Sequence, residues 1–195
     1  VSYPKEIKDV EKIKIIDYLD DKNFVIDEGM IHRSNKDKRS SRYSVQVKPV
    51  KNEIKIDSDL MRIFGYYISE GDIDNKDSVR FTFNSLETRY MEDLINLVEK
   101  KFGLKSKIEK SNAGNWSNVK FHSIIFAEFM TKIIGKGFNK KIIPSWILNL
   151  PIEKQKGLII GILRGDGYGY TNRHTTNIRA VLSNQNLVYG LWAIF

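Results

Sequence analysis

The sequence predicts an α+β fold that contains an internal repeat. Residues 63–71 and 159–167 follow one pattern, which reads two apolar residues, glycine, two apolar residues, any residue, a small residue, an acid and glycine. The two acids are Glu70 and Asp166, which lie 96 positions apart (166 minus 70). The rest of the chain alternates short strand patterns of period two with longer helical patterns, which is typical of an α+β domain.

Composition limits the classes of protein to which the chain can belong. The 195 residues suffice for one large domain or two small ones, and 41% of them are apolar. Lysine and arginine number 32 against 24 acids, and the net charge of +8 favours a polyanionic partner, nucleic acid first and an anionic membrane surface second. Cysteine is absent, which excludes disulfides, thiolate zinc sites and cysteine nucleophiles. Apolar runs are too short to cross a bilayer, so we expect an intracellular protein without a membrane partner.

Residues 1–56 form a predicted N-terminal extension of strands and loops. The pattern of residues 12–16 fits either a strand or a helix, whereas residues 24–26 and 30–31 flank Glu28 and Gly29 as in a hairpin. Residues 44–47 predict a further strand, which Pro49 ends.

Residues 57–135 form the first predicted copy of the repeat. Asp57 or Ser58 can cap a helix over residues 59–69. The elements that follow are a strand over 79–83, a helix from a Ser85 cap to Lys101 with Gly103 behind it, strands over 104–108 and 119–122, and a helix over 123–134 that Gly135 ends.

Residues 136–195 form a connector and a second, partial copy. A basic connector over 136–144 leads to a short helix over 146–148, and Pro151 suits the first position of a helix that continues to Arg164. Strands over 168–170 and 178–182 and a helix from Asn184 follow. By comparison with the first copy, the second copy stops in its third element, roughly 50 residues short.

The repeated glycines predict a close contact between two helices. Gly65 lies inside a helical pattern, where it costs up to about 1 kcal/mol relative to alanine. A second backbone packed against it is the best explanation, and Gly161 holds the same place in the second copy. Two helices packed in this way would bring Glu70 and Asp166 together, where a divalent metal ion can bridge them.

These residues resemble the LAGLIDADG homing endonucleases, particularly the dodecapeptide-type domains within archaeal inteins. Residues 60–71 are similar to the first family motif, residues 160–167 to the second, and residues 141–147 to the connector between them. The resemblance spans about residues 57–190. It implies a pseudo-twofold fold whose halves each have the order αββαββα, with antiparallel sheets that form a saddle over DNA. It also implies a monomer with two pseudo-symmetric halves, of which the second is incomplete here.

The resemblance implies site-specific hydrolysis of double-stranded DNA with Mg²⁺, as in the homing of an intein or intron. Glu70 and Asp166 would be catalytic and would bind the metal, and we expect the turns beside them to expose the carbonyls of Gly71 and Gly167 as further metal ligands. Mg²⁺ prefers oxygen ligands and needs only one or two protein carboxylates.

Basic side chains on strands predict the DNA contacts, because a ribbon of strands fits the major groove. The expected groove contacts are Arg80, Thr82, Lys105, Lys107, Lys120 and, in the second copy, Arg179, and the expected phosphate contacts are Lys136, Lys140 and Lys141.

One position departs from the family pattern. Many members carry a lysine at the end of the strand before the helix that follows the motif, whereas this chain has Asn84 and Ser183 there. Lys107 and Lys120 are the candidates to supply a catalytic cation from a neighbouring strand. A non-catalytic DNA- or RNA-binding protein on the same fold is therefore the alternative function, as in sporulation regulators and intron maturases. A basic structural protein is a remoter alternative, and both an intein fragment and a free-standing relative fit the sequence.

Overall fold

The computed structural model describes residues 11–20, 24–33, 48–171, 176–182 and 184–194. The mixed α+β class predicted from the sequence is confirmed, and the sheets are antiparallel. The helices are α1 (Ser58–Glu70), α2 (Thr88–Phe102), α3 (Ile124–Ile133), α4 (Ser145–Leu148), α5 (Ile152–Gly165) and α6 (Gln185–Trp192). The strands are β1 (Lys12–Lys14), β2 (Phe24–Asp27), β3 (Met30–Arg33), β4 (Val50–Lys51), β5 (Glu53–Lys55), β6 (Gly71–Asp74), β7 (Ser78–Asn84), β8 (Lys107–Lys110), β9 (Trp116–His122), β10 (Gly167–Thr171) and β11 (Thr176–Ala180).

The first copy of the repeat has the expected order of elements. It runs α1, β6, β7, α2, β8, β9, α3, and its four strands form one sheet in the order β6-β7-β9-β8. In the second copy, α5 is followed by the β10–β11 hairpin and then by α6. The relation of the two copies by a pseudo-twofold axis stays a prediction.

The N-terminal strands resolve the ambiguity at residues 12–16. Lys12–Lys14 is a strand paired with β5, and a single turn of 3-10 helix at Ile15–Tyr18 follows. The predicted hairpin is confirmed as β2 and β3, whose turn places Glu28 and Gly29 at positive φ. The strand expected over 44–47 lies outside the described residues.

Local hydrogen bonds decide the helix ends. The Asp57 side chain caps α1 by accepting from the backbone N–H of Leu60 at 3.1 Å, so Ser58 is the first helical residue. Ser85 does not cap α2, because its hydroxyl pairs with that of Ser117 at 3.0 Å and the helix begins three residues later. Gly103 ends α2 in the left-handed conformation, as expected.

Several sequence predictions were displaced by a few residues, among them the strands expected over 119–122 and 178–182, which are Trp116–His122 and Thr176–Ala180. Pro151 precedes α5 as its cap instead of being its first residue. The strand expected over 104–108 begins at Lys107, because Leu104 is buried in the core as the chain leaves α2 and does not pair with β9.

Helix α1 lies at the centre of the core. Its residues from Leu60 to Ile68 are buried except for Arg62, which is half-buried. One side packs on the sheet, where the Tyr66 and Phe83 rings and the Tyr67 and Phe81 rings meet edge to face. The other side packs on α5, so the ends of α1 and α5 are fixed relative to each other. In the part of the chain that the structure describes, the helices are too short or too polar to span a membrane.

Candidate metal and nucleic-acid site

Two glycines form the centre of the contact between α1 and α5. A Cβ atom added to Gly65 would lie 2.8 Å from the Cα of Gly161, and one added to Gly161 would lie 2.8 Å from the Cα of Gly65 and from the N of Tyr66. Every one of these atoms belongs to a backbone, so neither helix tolerates a side chain here. The structure thus brings together the two glycines that the repeat singled out.

The contact is longer than the sequence analysis expected. Gly157 faces the backbone of Ser58, and Gly165 faces Ser69 and the Cγ of Glu70, which a Cβ on Gly165 would approach to 2.9 Å. Gly157, Gly161 and Gly165 recur every four residues, so they lie on one side of α5. That spacing is the sequence signal that would have identified the whole contact.

The close contact places Glu70 and Asp166 at the same end of the helix pair. Glu70 is the last residue of α1, and Asp166 caps the C-terminus of α5. Burial, followed by the charge of Asp166, raises the pKa of Glu70 to about 7. Burial also raises the pKa of Asp166. Two partly buried carboxylates that repel each other form a favourable site for a divalent cation, because the cation relieves both effects.

Only oxygen donors are offered by this pair, which suits Mg²⁺ better than a transition metal. In the ranges that the structure describes, three or more His, Cys, Asp or Glu side chains do not come together around a point that could hold a metal ion. The pair therefore fits a cation that keeps several water or phosphate ligands, which is the usual behaviour of Mg²⁺. Gly167 begins β10 directly after Asp166, with its backbone close to Leu163.

Lys141 lies beside the carboxylates instead of on the surface. Its side chain is 4% exposed, and its Nζ donates to the carbonyls of Tyr67 at 2.7 Å, Ile68 at 2.9 Å and Gly71 at 2.6 Å. Burial lowers the pKa of Lys141 to about 8, against the opposing charges of Asp72, Asp166 and Glu70. An ammonium group enclosed in this way is not available to a DNA phosphate, so the expected phosphate contact at Lys141 is corrected.

The same lysine bears on two other expectations. The carbonyl of Gly71, expected at the metal, already accepts a hydrogen bond from Lys141. Lys141 is also the cation whose charge acts on both carboxylates, because it lowers the pKa of Glu70 and of Asp166. No local sequence pattern distinguishes the buried Lys141 from the exposed Lys140 beside it.

The sheet β6-β7-β9-β8 carries the expected groove contacts on its open face. Arg80, Lys120 and Lys107 are paired across β7, β9 and β8 in register, and Thr82 lies two residues along β7 on the same face. The hydroxyl of Thr82 donates to the side-chain oxygen of Asn118 at 2.9 Å. Each of the three basic side chains has an acidic partner, which the sequence analysis did not anticipate. Lys107 and Lys120 are therefore bound to acids on this face and are not among the groups that shift the pKa of Glu70 or Asp166.

The remaining predicted DNA contacts are exposed but dispersed. Lys105 lies between α2 and β8, whereas Lys136 and Lys140 lie in the connector before α4. Arg179 is exposed on β11, where it faces Tyr168 of β10 in register.

A cluster that the sequence analysis missed ties α1, α2 and α5 together. The carboxylate of Asp93 lies 2.7 Å from Arg164 Nη1 and 3.1 Å from Arg62 Nε, and it accepts from the hydroxyl of Tyr66 at 3.0 Å. The Arg164 guanidinium also stacks over the ring of Tyr90. Since Arg164 precedes Asp166 by two residues, this cluster fixes the end of α5 from the opposite side.

Asn84 occupies the place where the family resemblance expects a lysine. It is exposed at the end of β7, and its side-chain oxygen accepts from the backbone N–H of Leu86 at 3.0 Å. Ser183 lies outside the described residues. At Asn84 the chain therefore offers a neutral amide, whose oxygen already has a partner.

Residues 57–136 match the family of LAGLIDADG-like domains. This segment contains α1, the four-stranded sheet, α2 and α3. The ATP-dependent DNA helicase Hel308 of Thermococcus kodakarensis is 28% identical over 135 residues, which are 69% of this chain and 12% of the helicase. The DNA-directed RNA polymerase subunit Rpo1C of Methanocaldococcus jannaschii is 27% identical over 184 residues, which are 93% of this chain and 20% of the subunit. The chain thus spans a fifth or less of the length of these two relatives.

A weaker likeness exists to a solved structure, that of full-length DUF199/WhiA from Thermatoga maritima. The identity is 12%, the TM-score is 0.31, and the alignment covers 70% of this chain and 55% of the other. A likeness of this size carries no argument about fold or function.

Proposed function

We propose that the chain is a LAGLIDADG-type, metal-dependent endonuclease that hydrolyses phosphodiester bonds of double-stranded DNA at a specific site. The observation that carries the proposal is the glycine contact between α1 and α5, which ends in the carboxylates of Glu70 and Asp166. Glycine inside a helix costs stability, and the close contact that it allows here brings two carboxylates to the same end of the helix pair.

Glu70 and Asp166 would hold Mg²⁺, whose chemistry is to neutralise charge on the phosphate oxygens and to lower the pKa of a bound water. The carboxylates must be ionised to do so, and the raised pKa of Glu70, about 7 without metal, means that the cation competes with a proton there in acidic solution. Lys141 holds a positive charge beside both carboxylates and binds the carbonyls at the end of α1, so it keeps Glu70 in place.

Nucleic-acid binding is the part of the proposal that does not depend on catalysis. The LAGLIDADG-like match and the net charge of +8 support it, and the open face of the four-stranded antiparallel sheet offers a surface for it. The helicase among the relatives acts on DNA by its name, although the chain spans only 12% of it.

The two relatives also support the view that the chain comes from an inserted genetic element. A helicase and an RNA polymerase subunit have different activities by their names, yet each contains a stretch similar to this chain. A stretch that is shared by otherwise different proteins and occupies a small part of each is expected of an inserted element. This is the context that we propose for the endonuclease, with an intein as the host element.

The test is cleavage of a randomised double-stranded DNA library with Mg²⁺, followed by sequencing of the cut ends. We expect cuts at one sequence, and we expect Glu70→Gln or Asp166→Asn to abolish them, because each change removes a charge that binds the metal. Glu153→Gln is the matched control, since Glu153 is an exposed acid at the other end of α5. Cuts that persist in both site variants would show that the assignment is wrong.

Metal binding gives a second readout that does not need the target sequence. Titration of the protein with Mg²⁺ or Mn²⁺ by calorimetry should give a binding signal that Glu70→Gln weakens and Glu153→Gln leaves unchanged. An equal signal in both variants would place the metal elsewhere.

The neutral Asn84 favours one alternative, a non-catalytic DNA- or RNA-binding protein on the same fold. In that case the double-stranded DNA library, or a randomised RNA pool tested beside it, would yield bound nucleic acid without cut ends, and Glu70→Gln would leave binding unchanged. The two functions are therefore separated by one experiment.

A further inference from the structure

Acidic and basic side chains alternate across the open face of the four-stranded sheet. Asp72 lies 3.5 Å from Arg80, Lys120 lies 3.1 Å from Asp74 and 2.8 Å from Glu109, and Lys107 lies 3.0 Å from Glu109. The strand register places Arg80 beside Asp72 on one side and beside Lys120 on the other. We call these six side chains the ion-pair row; its members are Asp72, Asp74, Arg80, Lys107, Glu109 and Lys120.

The ion-pair row has no net charge, although the chain carries +8. Its three bases are matched by three acids, and its central member, Lys120, has two acidic partners and a side chain that is only 16% exposed. The row begins at the proposed metal site, because Asp72 follows Glu70 by two residues and its charge acts on Lys141. A surface used only to attract phosphate would gain nothing from these acids, so the acids need a separate explanation.

We propose that Glu109 is a specificity-determining residue, which holds Lys107 and Lys120 away from DNA phosphates until a matching base sequence is bound. This inference rests on the proposed function in one respect, namely that the open face of the sheet contacts DNA. The inference goes beyond the proposed function, because it gives the selection of the DNA target to an acidic residue and not to a basic one.

Glu109 and the DNA phosphates compete for the same two lysines. On DNA of arbitrary sequence, a lysine bound to Glu109 must break that ion pair to reach a phosphate, so its net gain is small. At the target, hydrogen bonds to base edges can replace the ion pairs that the lysines lose. The carboxylate can itself accept a hydrogen bond from the exocyclic amino group of cytosine in the major groove. Glu109 therefore weakens non-specific binding more than it weakens binding to the target.

The salt dependence of binding reports this directly. Each phosphate contact made by a cation steepens the slope of log K against log salt by about 0.9. If Glu109→Gln releases Lys107 to contact a phosphate, raising the salt from about 50 to about 200 mM should weaken non-specific DNA binding by the variant about 3.5-fold more than it weakens binding by the unmodified protein. Release of Lys120 as well is held back by Asp74, which remains 3.1 Å away.

The experiment measures the affinity of the unmodified chain, Glu109→Gln and Glu153→Gln for a random-sequence duplex by fluorescence anisotropy over this salt range. Glu153→Gln is the matched control, because it removes the same charge from an acid that is also paired with a lysine, Lys156 at 2.7 Å, on another surface. We expect the steeper slope in Glu109→Gln alone. A third variant, Glu109→Gln with Lys107→Gln, should return the slope to its original value.

Equal slopes in Glu109→Gln and Glu153→Gln would overturn the inference, and so would salt-independent binding of every form. Neither result depends on cleavage, because the duplex lacks the target and Mg²⁺ is omitted. A steeper slope in Glu109→Gln supports the inference even if the library experiment yields no cut ends, so the two proposals fail separately.

Discussion

Replacement of Gly161 by alanine tests whether the glycine contact is the structural basis of the site. The new Cβ would lie 2.8 Å from the Cα of Gly65 and from the N of Tyr66, whereas ordinary contact begins at 3.4 Å. The backbones of α1 and α5 must therefore separate by at least about 0.6 Å (3.4 minus 2.8) or tilt, and they must move further still to clear the carbonyl oxygen of Arg62, which lies nearer to the new Cβ. A backbone atom cannot rotate away as a side chain can.

The magnitude follows from two opposing effects. Overpacking of a tight core costs about 1–3 kcal/mol, and the rigid backbone neighbours place this case at the upper end. Alanine gains up to about 1 kcal/mol over glycine in a helix interior. We expect a net loss of about 2 kcal/mol in the free energy of unfolding, which is a decrease of about 1 M in the urea midpoint for a slope of about 2 kcal/mol per M.

The assay is urea unfolding followed by circular dichroism, with Gly190→Ala as the control. Gly190 also lies in a helix, and the three atoms nearest to a Cβ there belong to the side chain of Ile143, at 3.0 to 3.3 Å, so the steric conflict is smaller than at Gly161. The control should change the free energy of unfolding by less than about 1 kcal/mol. If Gly161→Ala were as stable as the unmodified chain, the reasoning about the close contact would be refuted.

Three further predictions concern the charges around the site. Because the pKa of Glu70 is raised from 4.5 to about 7, the folded state holds a proton that the unfolded state has lost, so without metal the free energy of unfolding should fall by up to about 3 kcal/mol as pH rises from about 4.5 to about 7. Thermal unfolding across this range should show the decline in the unmodified chain and not in Glu70→Gln, and a flat profile in both would contradict it. Lys141→Met should raise the pKa of Glu70 further, as measured by carbonyl NMR titration, because Lys141 lowers it now; an unchanged pKa would show that the two groups are not coupled. A double-mutant cycle of Asp93→Ala and Arg164→Ala should give a coupling of about 1 kcal/mol, the upper range for a partly exposed ion pair, and additive effects would rule out a direct contribution of this pair to stability.

The fold was predictable where the sequence pattern is local. The duplicated motif identified α1 and α5, because an acid followed by glycine closes both helices, and the Asp57 cap was among the two residues named for it. The start of α2 was not predictable in the same way. Ser85 is a good capping residue by type, but its partner is Ser117, which lies 32 positions away in sequence on β9. A side chain's choice between a local and a distant partner is decided by tertiary structure.

The candidate site was predictable in its carboxylates but not in its charges. Glu70 and Asp166 follow from the repeat, whereas the place of Lys141 depends on how the connector folds back against the end of α1. The acids beside Arg80 and Lys120 lie on neighbouring strands and could not be assigned from the sequence, because the strand register was unknown. Period-two alternation tells which face a residue occupies, but it does not tell which residue lies beside it.

The position of α5 has a consequence for the stretch 57–136 taken by itself. That stretch includes α1, with eight buried residues, but it does not include the helix that covers Gly65. Expressed alone, this stretch would expose to water the side of α1 that carries Gly65. The same side of a second copy can bury it, because two helix surfaces with glycine at the contact can pack closely together. The isolated stretch should therefore form a dimer, which analytical ultracentrifugation would detect.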